Sequence, residues 1–403
     1  TNSPAADPQL RPQLKSLIWR QLDQCFPVST GPYYCYNSLS YFDQLTGSGS
    51  THLQHPTSPA VKRAPLEVVL PMELVVRKSD LLKELALLQG IVERKNTIPI
   101  LANVLLDAEK ESLSLLATDL DVGLRSRCAA SVVKPGTLTL PAKKLFEIVN
   151  ALPETEIRIE EDKGGKSVTI AADRFESRMQ TLPSSEFPTP PDASGAEFVS
   201  LQGTDLKRMI THTRFAITSE DTRYFLNGAQ LVLQPDSMSM VATDGHRLAF
   251  VRVPADLGST KLDVLLPRKT LNEVARLIED GGAIEFAQGE NHIFFRAGDR
   301  LLVSRKIDAN FPAYERVIPK SNDKRIDFDR TRLGAAVKRV RLLSNERSKA
   351  VKFVMGTDQV EITSSSPEIG EAHEVLPVDY SAAAMQICFN ADYGDNFLGV
   401  VDT

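Results

Sequence analysis

Most of the sequence repeats itself with a spacing of about 125 residues, which limits the chain to a fold built from copies of one unit. The string LATD at residues 116–119 returns as VATD at residues 241–244. The string LPAKKL at residues 140–145 returns as LPRKTL at residues 266–271. Because unrelated landmarks share one spacing, the sequence indicates an internal duplication.

Each copy opens with an amphipathic helix and continues with runs in which apolar and polar residues alternate. The opening helices follow Ser79, Thr204 and Thr331, residue types that favour the helix N-cap. In the first two copies a second apolar stripe follows the LP string and predicts a second helix. Runs such as HIFFR at residues 292–296 predict strands of antiparallel sheets. The predicted fold is therefore α+β, with three tandem repeats of two helices packed on antiparallel sheets.

The repeat also sets the predicted domain boundaries. We predict a first domain over residues 72–191, a second over 192–319 and a third over 320–403. The sequence stops within the second helix of the third copy, so we expect this repeat to be incomplete. Residues 1–71 carry Gly, Ser and Pro breaks without periodicity, which predicts a disordered extension; a docking tail is the alternative interpretation.

Composition excludes several classes of protein. No stretch approaches the roughly 18 apolar residues of a membrane span, and the N-terminal residues lack a signal pattern, so we predict a cytoplasmic protein. The cysteines are too far apart for a CxxC metal pair, and we expect reduced thiols, no metal and no cofactor. The net charge of −5 argues against bulk electrostatic binding of nucleic acid, but it allows positive charge on one face.

The repeated unit resembles the bacterial DNA sliding clamp, the beta subunit of DNA polymerase III. The resemblance rests on RYFLNG at residues 223–228, ATDGHRLA at 242–249, FPAYERVIP at 311–319 and LSNE at 343–346. It implies a homodimeric ring of clamp-fold domains around double-stranded DNA, with helices lining the hole and sheets forming the rim. It further implies a non-catalytic processivity factor that binds the replicative DNA polymerase, the clamp loader and repair proteins through short peptides.

The resemblance also implies three sets of site residues. The DNA-binding set lies on the polar faces of the repeated helices, with one loop residue added, and consists of Lys83, Lys95, Lys143, Lys144, Lys207, Arg208, Lys269, Arg276, Lys338, Arg339 and Arg341. The partner-peptide pocket, between the second and third domains, consists of Phe225, Leu226, Thr243, Gly245, His246, Arg247, Leu248, Pro312, Arg316 and Val317. The dimer interface joins strand edges of the first and third domains and consists of Arg174, Phe175, Arg178, Leu342, Leu343, Glu368, Glu371 and Glu374. The family closes its pocket with C-terminal residues that this sequence does not contain.

Two alternatives compete with this interpretation. Asp119, Asp121, Asp244 and His246 carry the ligand types of a metal-dependent phosphoryl-transfer enzyme. The third copy has no carboxylate at the corresponding position, and a turn role for Thr-Asp explains both copies more simply. The second alternative is a repeat-built interaction scaffold that does not contact DNA.

Overall fold

The structure is a computed structural model and describes residues 71–92, 98–278, 282–322 and 324–401. The predicted DNA contact Lys95 and residues 1–70 of the predicted extension lie outside the described residues. The chain divides into two units, Thr1–Leu66 and Glu67–Thr403, and the described residues belong to the second. None of the helices in the described ranges combines the length and apolar character that crossing a membrane requires.

The first copy contains helices α1 (Lys78–Leu88) and α2 (Ala142–Ala151). Its strands are β1 (Glu73–Arg77), β2 (Asn103–Glu109), β3 (Ser112–Thr118), β4 (Val122–Ala129), β5 (Ser131–Lys134), β6 (Gly136–Pro141), β7 (Glu156–Glu161), β8 (Ser167–Ala172) and β9 (Phe175–Gln180). Five of them form an antiparallel sheet in the order β5-β1-β7-β8-β9. Strand β9 therefore lies at one edge of this sheet.

The second copy contains helices α3 (Gly203–Thr213) and α4 (Arg268–Leu277). Its strands are β10 (Val199–Gln202), β11 (Gly228–Gln234), β12 (Ser237–Thr243), β13 (Leu248–Pro254), β14 (Leu262–Pro267), β15 (Ala283–Gln288), β16 (His292–Ala297) and β17 (Arg300–Arg305). Strand β17 pairs with β4 of the first copy, so one sheet runs through both copies in the order β10-β15-β16-β17-β4-β3-β2-β6. The remaining strands form a sheet in the order β13-β12-β11-β14.

The third copy contains helices α5 (Arg330–Val340) and α6 (Ala391–Leu398). Its strands β18 (Ala350–Gly356), β19 (Gln359–Ser366), β20 (Gly370–Pro377) and β21 (Met385–Asn390) form a sheet in the order β20-β19-β18-β21. Helices and antiparallel sheets thus recur in all three copies, and the predicted α+β fold is confirmed.

The apolar stripes of the helices face the core, as their spacing predicts. Leu81, Leu85 and Leu88 of α1 are fully buried, as are Leu145 and Val149 of α2. Burying each such side chain contributes about 1.5 to 3 kcal/mol, so packing on the sheets fixes which face of each helix turns inward. One continuous core serves the first two copies, and the third has a core of its own.

The prediction of Ser or Thr at the helix N-caps is wrong. Arg77 holds the N-cap of α1 and Gln202 that of α3, and neither side chain makes a capping hydrogen bond. Strands β1 and β10 run directly into these helices, so the last strand residue takes the cap position. In α5 the cap is Asp329, whose carboxylate accepts a hydrogen bond from the backbone N–H of Arg332 at 2.7 Å.

Candidate functional site

The Thr-Asp turns after β3 and β12 are held by the same hydrogen bonds. Asp119 Oδ1 accepts from the backbone N–H groups of Asp121 at 2.9 Å and Val122 at 2.6 Å. Asp244 Oδ1 does the same for the residues two and three positions further on, both at 3.0 Å. The predicted turn role of these aspartates is confirmed. Within the described ranges, no group of three or more His, Cys, Asp and Glu residues has an arrangement that could hold a metal ion.

Two predicted DNA contacts instead join the first two copies. Lys269 Nζ is ion-paired with Asp119 and donates to the carbonyl of Ile91 at 3.0 Å. Arg276 donates to the carbonyl of Ala86 at 2.6 Å and pairs with Glu273 of its own helix. Since both cations lie at the contact between α1 and α4, we assign them to the junction and remove them from the DNA-binding set.

A buried ion pair crosses the same junction. Arg300 on β17 donates two hydrogen bonds to the carboxylate of Glu84 on α1, from Nε at 2.8 Å and from a terminal nitrogen at 2.6 Å. Their side chains are 11% and 6% exposed. A bidentate pair with this little solvent fixes the distance and the orientation between helix and strand. Together with the β17–β4 pairing, it makes the first two copies one rigid body.

A cavity of about 710 Å³ lies between the second and third copies. Its walls come from α3, from β13, from the segment that links the two copies, and from α6 with the residues after it. The lining residues are Arg208, His212, Phe215, Leu248, Ala249, Phe250, Val251, Arg252, Val317, Ile318, Pro319, Phe397, Val400 and Val401. The walls are mainly apolar and arginines stand at the edges, which suits a partly apolar peptide.

Arg247 closes one side of this region by packing between two aromatic rings. Its guanidinium carbon lies 5.3 Å from the centroid of Phe215 in the second copy and 4.4 Å from that of Tyr393 on α6. It also donates to Asp244 at 3.0 Å and to the carbonyl of Phe215 at 2.6 Å. Arg247 therefore connects the turn after β12 to the third copy.

The carboxyl group of Asp244 is held ionised by its hydrogen bonds. Burial acts to raise its pKa, but the N–H groups of His246 and Arg247 and the Arg247 guanidinium together outweigh burial. The pKa of Asp244 is therefore lowered from its usual value. At neutral pH this carboxylate is charged and keeps Arg247 in place.

The predicted pocket residues divide into two groups. Leu248 and Val317 line the cavity, and Arg247 packs beside its Phe215 wall. The others do not line it: Phe225, Leu226, Thr243, Gly245, His246, Pro312 and Arg316. Arg208, predicted to contact DNA, lies in the cavity wall. Phe397, Val400 and Val401 also line the cavity and were not predicted, although the apolar residues of the last helix could have indicated an apolar wall.

The predicted dimer residues lie at or near two sheet edges. Strand β9 carries Phe175 and Arg178 at the edge of the five-stranded sheet, and β20 carries Glu371 and Glu374 at the edge of the sheet in the third copy. The other members are exposed Arg174, Leu342 and Glu368 and half-buried Leu343. Leu342 is 75% exposed and lies in the turn that packs beside β20, so it adds apolar surface near this edge.

Two of these charged residues, Arg178 and Glu374, already have partners within the chain, and the partner of Glu374 is the predicted DNA contact Arg339. Arg178 is ion-paired with Asp162 and donates to Ser167 Oγ at 2.9 Å. Arg339 donates two hydrogen bonds to Glu374, at 2.9 Å and 2.5 Å, and this pairing lowers the pKa of the Glu374 carboxyl. Within the chain, Glu374 is thus directed at Arg339 of α5, and its place in the dimer interface stays a prediction.

A further predicted DNA contact is also structural. Arg341 pairs with Asp392 at 2.7 Å and with Asp395, so it joins α5 to α6 inside the third copy. We remove it from the DNA-binding set for that reason. Among the other predicted contacts in the described ranges, the exposed lysines are Lys83, Lys143, Lys144 and Lys338, and Lys207 is half-buried. Arg208 and Arg339 are exposed as well, but Arg208 lies in the cavity wall and Arg339 pairs with Glu374.

Comparison with known proteins gives one consistent family. The N-terminal domain of the DNA polymerase III beta subunit matches residues 72–191, its central domain matches 200–313 and its C-terminal domain matches 315–403. The beta sliding clamp of Pseudomonas putida is 37% identical over 338 residues, which cover 82% of this chain and 91% of the relative. That of Escherichia coli K12 is 36% identical over 326 residues, covering 80% and 88%.

A solved structure has the same fold. The DnaN sliding clamp (DNA polymerase III subunit beta) from Pseudomonas aeruginosa, bound to griselimycin, superposes with a TM-score of 0.77 at 37% identity. The match covers 83% of this chain and 91% of that one. Likeness in sequence and in structure therefore extends over the whole described repeat.

Proposed function

We propose that this chain, which belongs to the bacterial beta sliding clamp family (the beta subunit of DNA polymerase III), encircles double-stranded DNA as a ring of two protomers. It is a non-catalytic processivity factor of that polymerase. The observation that carries the ring proposal is the continuous sheet through the first two copies, on which the helices form a second layer. Helix α1 packs against α2 and α4, and α3 packs against α4.

The charges on the helices suit a DNA duplex that the ring encloses rather than binds tightly. Lys83 on α1, Lys143 and Lys144 on α2 and Lys338 on α5 are exposed. Lysines on one layer follow phosphates without reading sequence, while a net charge of −5 keeps the rest of the surface acidic. We propose these four, with Lys207 and with Lys95 from the sequence analysis, as the DNA-facing residues.

The three predicted domains, residues 72–191, 192–319 and 320–403, remain part of the proposal. Strand β9 ends at Gln180 and β10 begins at Val199, which fits a boundary between 191 and 192. Strand β17 ends at Arg305 and α5 begins at Arg330, which fits a boundary between 319 and 320. The separate core of the third copy supports the second boundary.

We propose that the cavity between the second and third copies binds short, partly apolar peptides of the polymerase, the clamp loader and repair proteins. Leu248, Val317 and Phe397 supply apolar surface, and Arg208 and Arg252 supply polar edges. Burial of one or two apolar anchors in such a cavity provides most of the affinity of a short peptide.

Ring closure is proposed to join edge strand β9 of one protomer to edge strand β20 of the second protomer. Exposed Phe175 and Leu342 supply apolar contact, and exposed Arg174 can face Glu371 or Glu368. A head-to-tail contact closes a ring only when both surfaces are present on each chain, and the edge positions of β9 and β20 support this proposal.

Replacing Leu248 by alanine is expected to weaken binding of a partner peptide by about 1 to 3 kcal/mol, because the anchor loses a wall of its cavity. Calorimetric titration with a synthetic peptide copied from the clamp-binding segment of the polymerase measures this loss. Val375→Ala, which removes an exposed apolar side chain on β20, is the matched control and leaves affinity unchanged. Equal affinity of the Leu248→Ala variant and the control contradicts the assignment of the cavity.

A further inference from the structure

A second cleft lies between the first and second copies, beside the turn after β3, which corresponds through the repeat to the turn after β12. Thr118 Oγ1 donates to the carbonyl of Val122 at 3.1 Å, as Thr243 Oγ1 donates to that of Arg247 at 2.7 Å. Each threonine also accepts at 3.1 Å from the N–H two residues on. The second cleft therefore lies beside a turn whose hydrogen bonds are the same in both copies.

One end of the second cleft has an apolar wall, with the exposed ion pair of Asp121 and Arg305 beside it. It is a cavity of about 310 Å³ with Leu120, Pro188, Pro190 and Val303 in its walls. Pro190 packs so closely on Gly123 of β4 that a Cβ at Gly123 would meet its ring at 2.8 Å. The proline wall is thus pressed against the sheet and provides a firm surface for an apolar side chain.

Leu120 occupies an unusual conformation at the mouth of this apolar end. Its φ is +82°, whereas the corresponding residue of the other turn is Gly245, with a φ of +84°. Left-handed backbone is unfavourable for leucine and easy for glycine. Despite that strain, the Leu120 side chain is 50% exposed, so it contributes apolar surface to the cleft rather than to the core.

The other end of the cleft is acidic. An adjoining cavity of about 570 Å³ shares Pro191 and His292 with the first and has Asp192, Glu197 and Glu290 in its walls. The Ser194 hydroxyl donates to Asp192 at 2.8 Å, which lowers the pKa of that carboxyl and keeps it ionised. Three exposed carboxylates at one end call for a basic group.

Two neutral groups add to the preference for a hydrogen-bond donor. Gln288 is part of the acidic wall, and its side-chain Oε1 is buried without a hydrogen-bond partner among the described residues. The pKa of His292 is lowered by burial and by the nearby Arg305, so this ring is uncharged at neutral pH and does not repel a cation. An acceptor that is buried and unpaired gains from a donor supplied by a ligand.

We propose that the two adjoining cavities form a second peptide site, which takes an apolar side chain against Leu120 and the prolines and a neighbouring lysine or arginine among the carboxylates. This rests on the proposed function for its occupant, a short segment of a partner protein. Charge distinguishes the two sites: the cavity between the second and third copies contains Arg208 and Arg252, whereas three carboxylates lie at the far end of this cleft and Arg305 at its other end is paired with Asp121. A partner with a basic segment can therefore occupy the second site while the first is filled.

The test uses two labelled synthetic peptides and fluorescence anisotropy on the full chain. One peptide carries a Leu-Phe pair followed by a Lys-Lys pair, and the other carries Glu-Glu in place of the lysines. In a Leu248→Asp background, which blocks the other cavity, the lysine peptide is expected to bind at least about tenfold more tightly than the glutamate peptide. Adding Leu120→Gly or Glu290→Lys is expected to remove at least about tenfold of that affinity.

The controls separate binding from folding. Leu120→Gly suits the left-handed backbone, so its thermal midpoint is expected to equal or exceed that of the parent. Glu109→Lys, the same charge reversal at an exposed position outside the cleft, leaves the affinity unchanged. Loss of affinity with a retained midpoint locates the peptide at Leu120.

Other outcomes overturn the proposal. If Leu248→Asp abolishes binding of both peptides, the cleft at Leu120 is not a peptide site, while the cavity between the second and third copies stands. If Leu248→Asp changes nothing and Leu120→Gly abolishes binding, the assignment of that cavity fails instead. If the chain self-associates and Leu120→Gly removes this self-association in sedimentation measurements, the cleft binds a second protomer, and the proposal is overturned.

Discussion

Replacing Arg300 by alanine is expected to lower the free energy of unfolding by about 3 to 5 kcal/mol. The guanidinium is the bidentate partner of Glu84, and both side chains are almost fully buried. Removal of one partner leaves a carboxylate in a poorly solvated site without compensation, which costs far more than the net contribution of the intact pair. Urea denaturation of the purified chain, followed by circular dichroism, measures the loss.

The matched control is Arg305→Ala on the same strand. Arg305 lies 3.8 Å from Asp121, and both side chains are largely exposed, so its removal is expected to cost under about 1 kcal/mol. A double replacement of Glu84 and Arg300 by glutamine and methionine is expected to recover most of the stability, because no buried charge remains. Equal costs for Arg300→Ala and Arg305→Ala contradict a role for burial.

Replacing Leu342 by aspartate is expected to weaken self-association by at least about 30-fold, or about 2 kcal/mol. Leu342 is 75% exposed beside edge strand β20, so the monomer folds equally well with either residue. In the proposed ring contact, however, the aspartate would be desolvated without a partner. Sedimentation equilibrium over a range of protein concentrations gives the dissociation constant.

Val133→Asp is the control for this change. Val133 is 59% exposed on β5, at the opposite edge of the sheet that ends in β9, and no ring contact is proposed there. A dissociation constant that is unchanged by Leu342→Asp, or changed equally by both variants, contradicts the proposed closure.

The parts of the fold that the sequence predicts are those set by local periodicity. The stripe that includes Leu81, Leu85 and Leu88 predicts both the helix and its buried face, because a spacing of three and four residues places side chains on one side of a helix. The repeat then carries this prediction from one copy to the next. The Thr-Asp turns follow in the same way from local hydrogen bonding around Asp119 and Asp244.

The parts that the sequence does not predict depend on contacts between distant segments. Glu84 and Arg300 are 216 residues apart, and no periodicity relates an acid on a helix to a base on a strand of another copy. The β17–β4 pairing is non-local for the same reason.

Charged residues show the same limit. Lys269, Arg276 and Arg341 lie on helices like the other predicted DNA contacts, but each meets a carboxylate or a carbonyl from another segment. Helical position alone therefore does not distinguish a cation that faces solvent from one that joins two segments of the chain. The cavity wall from α6 was not predicted because it depends on α6 of the third copy and β13 of the second lining one cavity, which no local motif specifies.

The central claim, that this chain holds DNA by enclosing it, is tested most directly by the dependence of retention on DNA topology. The labelled chain is loaded by its clamp loader onto closed circular DNA, separated from free protein by gel filtration, and followed after the circle is either left closed or cut once. We expect retention on the closed circle and rapid loss from the cut one, because a ring slides off an end. Equal loss from both forms would contradict the account.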